Sequence, residues 1–178
     1  GYLYQNWNYF RSSDAPGPKI HLDGGLNHVH PSKELNKGKN ILMYMGALTE
    51  HGGVSQLARA FHKIENSNSE LRIVGRGKNQ ELEMLASKDT RIKLYGFVSE
   101  TELHKLASEA TLFANPRPTG FEPNKLNYPS KLLHYFSYGR PVMSTFTEGL
   151  SPDYRQVLIP ILDETDEGMV KAVSAALA

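Results

Sequence analysis

The side chains best suited to chemistry lie together in the longest loop of the chain, residues 115–131. Arg117 lies near its start, and Pro129, Ser130 and Lys131 end it where a helix is predicted to begin. A hydroxyl, an ammonium group and the free backbone N–H groups of a helix start can together bind a diphosphate. An ordinary helix start with a solvated Lys is the alternative. We favour binding, because long loops in compact domains are usually functional.

A second candidate for anion binding is the segment 46–53. It contains Gly46, Gly52 and Gly53, and a helix is predicted to follow it directly. Glycines let the backbone approach a ligand closely, and a helix start directs N–H groups toward an anion. A plain strand-to-helix turn would use the same residues, so this segment alone leaves both interpretations open.

The segment 74–80 adds two cations, Arg76 and Lys78, and a Gly-x-Gly pair. Gln80 occupies the position at which a dinucleotide-binding fingerprint has its third glycine, and no acidic residue follows at the expected place. A nicotinamide-binding domain is therefore disfavoured. Cations at such positions are more often solvated than bound to a ligand.

An aromatic residue, Phe97, directly follows another apolar run. At that position a ring can stack on a planar base or fill the core, and for Phe97 alone we favour the core, because large apolar side chains are usually buried. His28 and His30 have the spacing of two metal ligands on a strand. No third ligand lies nearby in the sequence, so exposed histidines are the favoured interpretation.

Except for His28 and His30, all of these candidates follow short apolar runs, which are typical of strands buried on both faces. From residue 40 onward such runs alternate with stretches of helical periodicity. The alternation predicts an α/β fold, a doubly wound, Rossmann-like parallel sheet of about six strands with helices on both faces. Such sheets bind ligands at the carboxyl ends of their strands. The predicted strands are 41–45, 71–74, 92–95, 112–114, 141–144 and 157–162, and the predicted helices are 53–64, 80–87, 99–109, 129–138 and 164–178.

Residues 1–39 have a different composition. Five aromatic side chains lie in the first ten residues, turn-forming residues follow, and neither helical nor strand periodicity runs through the segment. This composition predicts a linker or N-terminal extension, with one short strand at 19–22, in front of a domain at 40–178. The aromatic rings are expected to be buried somewhere, since such an apolar patch rarely stays exposed.

The overall composition excludes several functional classes. The 20 Lys+Arg and 19 Asp+Glu give a net charge of +1, which argues against a general nucleic-acid binder. The absence of Cys excludes a disulfide scaffold, Cys-ligated zinc and thiol catalysis. No apolar run approaches the roughly 20 residues of a membrane span. We expect the protein in the cytoplasm, or at the inner face of the cell membrane through a further domain.

Taken together, the motifs resemble those of the C-terminal, donor-binding domain of retaining glycosyltransferases with the GT-B fold, glycosyltransferase family 4 (group 1). The resemblance covers residues 40–178. It is carried by the segments 41–46, 71–77 and 92–99, and most specifically by 128–145, in this order and spacing. The segment 115–118 looks like that of the subgroup that builds bacterial surface polysaccharides.

The resemblance implies the C-terminal half of a GT-B fold that binds a nucleotide diphosphate sugar without a metal or other cofactor. The acceptor would bind to a lobe that precedes Gly1, so the 178 residues are expected to be part of a longer enzyme. The implied site residues form three groups. They are Gly46, Gly52, Arg76, Ser130, Lys131 and Leu132 for the diphosphate; Gly96, Phe97, Val98 and His134 for the base and ribose; and Arg117, Asn124 and Asn127 facing the sugar.

The chain also departs from the family pattern. Ala47 and Gly52 stand where the first loop usually carries cations, and His134 stands where a Glu usually binds the ribose. A neutral His cannot make the bidentate pair that a carboxylate makes with a diol. Two hypotheses remain: a hexosyltransferase domain that is inactive in isolation, or a non-catalytic nucleotide- or partner-binding module with a degenerate donor site. Catalytic residues are not identified. Four cations could replace the missing charges: Arg76, Arg117, Lys131 and Arg140.

Overall fold

The computed structural model of the chain describes residues 1–26, 28–30 and 38–178. Residues 27 and 31–37 of the predicted extension lie outside the described residues. The strands are β1 Tyr2–Tyr4, β2 Lys19–His21, β3 Asn40–Met45, β4 Ser69–Val74, β5 Ile92–Gly96, β6 Leu112–Asn115, β7 Val142–Ser144 and β8 Ile159–Pro160. The α-helices are α1 Trp7–Ser12, α2 Val54–Lys63, α3 Gln80–Lys88, α4 Glu100–Ser108, α5 Glu122–Leu126, α6 Lys131–Phe136 and α7 Asp166–Ala176.

The main sheet has the order β5-β4-β3-β6-β7-β8, and every neighbouring pair is parallel. The chain moves outward from β3 through β4 to β5, and then crosses to the other side of β3 with β6. The loops that follow β3 and β6 therefore diverge and leave a crevice at the carboxyl ends of these two strands.

The core has one layer on each face of the sheet, as the alternation of side chains along β3 requires. Leu42 and Tyr44 face the layer formed with α2, α3 and α7. Ile41, Met43 and Met45 face the opposite layer, formed with α4 and α6. Both faces of the sheet are thus covered, which confirms the doubly wound fold predicted from the continuous apolar runs.

Most predicted elements are confirmed, and the differences have local reasons. Only Ile159–Pro160 of the predicted strand 157–162 pairs with the sheet, while Val157 and Leu162 are exposed. Helix α6 begins at Lys131 rather than Pro129. The capping box before α4 is present, because the Ser99 hydroxyl accepts a hydrogen bond from Glu102 N–H. The short helix α5 interrupts the longest loop and was not predicted.

The first 26 residues contain more structure than their sequence predicts. The predicted strand at 19–22 is present as β2, but it pairs in parallel with an unpredicted strand, β1, and α1 lies between them. Trp7 N–H donates to Gly149 O at 3.1 Å, which ties α1 to the loop after β7. The domain boundary at residues 39 and 40 stays a prediction. Within the described residues, no helix is long and apolar enough to cross a membrane.

Candidate functional site

A cavity of about 380 Å³ opens at the carboxyl ends of β3, β4 and β5, at the edge where parallel sheets bind ligands. We call it the cleft. The structure brings six of the predicted site residues together in its lining, although they are far apart in the sequence. They are Gly46, Arg76, Phe97, Val98, Lys131 and His134, and Met45, Ala47, Val74, Gly75 and Leu103 complete it.

Lys131 is held in the cleft by Tyr44 and Gly46. Its Nζ donates a hydrogen bond to the Tyr44 hydroxyl at 3.2 Å and lies 5.0 Å from the centre of the Tyr44 ring. A Cβ atom at Gly46 would lie 2.0 Å from the same Nζ. Gly46 thus leaves room for the Lys131 side chain to lie directly against its backbone.

Arg117 follows β6, at the crevice between β3 and β6. It does not line the cleft. It is only 9% exposed, and its Nε and Nη1 have no hydrogen-bond partner in the described part of the chain. Among the residues that the structure describes, neither Arg117 nor Lys131 forms an ion pair with a carboxylate. A buried guanidinium without a counter-charge is unfavourable unless an anion compensates it.

The electrostatics of the crevice follow from this concentration of bases. Burial, together with the nearby Arg117 charge, lowers the pKa of Lys131 to about 8. Burial also lowers the pKa of Arg117. The pKa of His51 is lowered by burial and by the charges of Arg117 and Lys131. The charge of Arg117 thus lowers the pKa of Lys131, and both charges lower that of His51. A bound anion would offset this repulsion.

Tyr44 holds Lys131, and Tyr135 holds the end of β3 beside it. The Tyr44 hydroxyl donates to Ala47 O at 2.9 Å, and burial raises the pKa of Tyr44 to about 12. A Cβ at Gly52 would lie 2.3 Å from the Tyr44 hydroxyl, so Gly52 makes room for Tyr44 and does not line the cleft. The Tyr135 hydroxyl accepts from Met45 N–H at 3.1 Å and donates to Met45 O at 2.9 Å.

The start of α6 differs from the expectation. The Leu132 side chain is fully buried in the core, and its N–H already donates to Pro129 O at 2.9 Å. Leu132 therefore has no group that faces a diphosphate. Ser130 is exposed, and its hydroxyl makes no capping hydrogen bond. The N–H groups of Leu132 and Leu133 donate to Pro129 O and Ser130 O, and the group of α6 that lines the cleft is the Lys131 side chain.

Two of the residues predicted to face the sugar, Asn124 and Asn127, differ in burial. Asn124 is fully buried and its Nδ2 donates to His51 O at 3.1 Å and Pro118 O at 2.8 Å, while its Oδ1 has no partner. Asn127 is exposed. Arg140 precedes β7 and lies at the amino-terminal edge of the sheet, so it is not near the cleft.

At the other end of the cleft, Phe97 is 69% exposed, so the preference for a core position was wrong. The reason is local: Gly96 has φ of +64° and ends β5, an edge strand, so no neighbouring strand among the described residues covers the ring on that side. The Arg76 guanidinium lies 4.0 Å from the centre of the Phe97 ring. The pair forms an exposed, planar wall of the cleft.

Sequence reasoning missed Tyr44 and His51. Tyr44 lies in the middle of an apolar run and has the pattern of a core residue, which its ring is. Only its position near the end of a strand indicates that its hydroxyl could reach the ligand-binding edge. His51 lies between turn residues, and no feature of its surroundings in the sequence separates it from a solvated His.

Comparison with known proteins now bears on this site. A model of the family of glycosyl transferases group 1 matches residues 39–178. The chain belongs to this family. No curated protein matches the chain in sequence.

Solved structures agree with the family in fold. WaaG, a glycosyltransferase involved in lipopolysaccharide biosynthesis, is 20% identical with a TM-score of 0.62, over 80% of this chain and 39% of WaaG. HepE from Anabaena, solved with UDP and glucose, is 14% identical with a TM-score of 0.58, over 78% of this chain and 38% of HepE. The C-terminal domain of the group 1 protein LpcC from Francisella tularensis is 11% identical with a TM-score of 0.54, over 77% and 74%. The chain thus has the fold of GT-B glycosyltransferase domains and spans less than half of WaaG or HepE.

Proposed function

We propose that the chain is the donor-binding domain of a cytoplasmic glycosyltransferase that uses a nucleotide diphosphate sugar, retains the anomeric configuration and acts on a polysaccharide or glycoconjugate. The observation that carries the proposal is the pair of cations at the crevice, the buried Arg117 and the half-buried Lys131, which have no carboxylate partner among the described residues. A diphosphate is the anion that supplies the missing charge. The acceptor would bind to a preceding lobe.

The catalytic contribution of this domain would be positioning and charge stabilisation. As the sugar leaves, negative charge grows on the departing diphosphate, and Lys131 lies where it can offset that charge. A buried cation acts more strongly there than one in water, since the local dielectric is lower. Among the residues with a described position, no group of three His, Asp or Glu could hold a metal ion. In this proposal side chains supply the charge stabilisation.

Binding of nucleotides tests the proposal. Calorimetry or saturation-transfer NMR with uridine and guanosine diphosphates should detect weak binding to the chain. Lys131→Ala should lower the affinity about tenfold or more, since it removes a charge-assisted hydrogen bond. Lys78→Ala is the matched control, because Lys78 follows the same strand but does not line the cleft. If neither nucleotide binds at millimolar concentration, the proposed donor site is wrong.

A degenerate, non-catalytic module is the second candidate, and the lining of the cleft supplies its observation. Ala47 and His134 lie in the lining, where the family usually has a cation and a carboxylate. His134→Glu separates the two candidates. In a working donor site the carboxylate should pair with the ribose hydroxyls and raise the affinity for nucleotides. In a degenerate site the affinity should not change.

A further inference from the structure

A second cavity, of about 330 Å³, adjoins the cleft at its exposed end. The two share the side chains of Phe97, Val98, Leu103 and His134 in their lining. Beyond this shared wall the second cavity is lined by His30, Glu100, His104 and Tyr138. A ligand whose diphosphate lies at Lys131 and which extends past Phe97 would therefore enter the second cavity.

The second cavity is formed largely by flat rings. The His30 ring stacks on Tyr138 with centroids 4.6 Å apart and an angle of 24°, and it lies 4.4 Å from the His104 ring. His30 N–H donates to Ser137 O at 2.7 Å, which fixes this residue against α6. His30 precedes the residues 39–178 that match the family. The ring wall is thus completed by a segment outside that match.

The charges of this cavity are unlike those of the crevice. Its described lining contains no Lys or Arg, and its only carboxylate is that of Glu100. Burial lowers the pKa of both His30 and His134, so these imidazoles are neutral at pH 7. The His104 Nδ1 is buried and has no hydrogen-bond partner within residues 1–26, 28–30 and 38–178. Flat neutral rings, one carboxylate and one unused ring nitrogen suit a heterocyclic base and not a phosphate.

The family resemblance implies a base beside Phe97 and Val98, and we propose that Glu100, in the second cavity, makes this base subsite selective for guanine. The proposal rests on the proposed function of the cleft. Guanine presents two adjacent donors, N1–H and the N2 amino group, and a carboxylate can accept both. Uracil presents a single N–H between two carbonyl oxygens, which a carboxylate repels. Adenine presents a ring nitrogen lone pair beside its amino group. The His104 Nδ1 remains for a further hydrogen bond to the base.

The test compares guanosine, uridine and adenosine diphosphates by calorimetry on the 178-residue chain and two pairs of variants. The chain should bind guanosine diphosphate at least about tenfold more tightly than the other two, as expected for two hydrogen bonds to a charged group. Glu100→Gln should abolish this preference and leave the affinity for uridine diphosphate nearly unchanged. Glu102→Gln lies on the same helix but outside the cavity, and should preserve the preference.

His30→Ala should weaken the binding of all three nucleotides, because it removes a ring from the wall, whereas the exposed His28→Ala should not. Equal affinities for the three nucleotides, a preference for uridine or adenosine, or a guanine preference that survives Glu100→Gln would overturn the inference and leave the proposed function intact. Failure of all three nucleotides to bind would overturn both.

Discussion

The crevice and the exposed end of the cleft differ in how their cations are placed. At the crevice, Arg117 is buried and Lys131 bonds the Tyr44 hydroxyl, and neither has a counter-charge among the described residues. At the exposed end, Phe97 and Arg76 stack on each other in contact with water. A buried, unpaired cation lowers the stability of the free protein and is useful only to a ligand, whereas an exposed stacked pair has little effect on stability. Stability measurements can therefore separate binding residues from structural ones.

The largest difference between the two ends should come from adding a methyl group to a glycine. A Cβ at Gly75 would lie 1.6 Å from Gly46 O, so the backbone itself must move. Gly75→Ala should lower the free energy of unfolding by about 3 kcal/mol. Gly96 has open space around it, and its φ of +64° is the only obstacle, so Gly96→Ala should lose about 1–2 kcal/mol. Urea unfolding followed by circular dichroism measures both; equal losses would contradict the comparison.

Replacing the buried Arg117 should raise the free energy of unfolding, whereas the glycine substitutions should lower it. Arg117→Met removes a guanidinium whose burial is not compensated, so the free energy of unfolding should rise by about 1–2 kcal/mol while the affinity for nucleotide diphosphates falls. Arg76→Met, at the exposed end, serves as the control, and stability should change by less than about 0.5 kcal/mol. A loss of stability in Arg117→Met would mean that Arg117 is a structural residue.

The titration of Lys131 should be visible in the pH dependence of the free energy of unfolding. Its pKa is lowered to about 8 from 10.5, so between these values the unfolded chain binds more protons than the folded one. The free energy of unfolding should therefore rise with pH from about 8 to 10.5. Affinity for a diphosphate should fall over the same range as Lys131 loses its charge. Lys131→Met should remove both trends, which unfolding and calorimetry at several pH values can establish; unchanged slopes in this variant would assign the titration to another group.

The smallest effect on stability is expected at Phe97. Because its ring is 69% exposed, Phe97→Ala should change the free energy of unfolding by less than about 0.5 kcal/mol. Its affinity for nucleotides should still fall by about tenfold, the scale of a lost stacking contact with a base. Leu126→Ala provides a control with another exposed apolar side chain, which does not line the cleft. Equal affinities in the two variants would show that Phe97 does not contact the ligand.

The sequence predicts the architecture and most of the cleft because both depend on local patterns. Apolar runs that end in Gly46, Val74 and Gly96 place their following loops at one edge, and the parallel sheet brings these loops together. What it does not predict depends on distant neighbours. Whether Phe97 is covered depends on β5 being an edge strand, and whether Leu132 N–H is free depends on the turn at Pro129. The role of His30 depends on contacts with α4 and α6.

Tyr135 has a consequence for how a ligand would enter. Beyond Met43, strand β3 has no pairing partner in β6, and the single Tyr135 hydroxyl bonds both the N–H and the C=O of Met45 in its place. The two strands are thereby held apart in the free protein without loss of backbone hydrogen bonds. A ligand meets a crevice that is already open, and its association rate should be set by diffusion and docking rather than by an opening step.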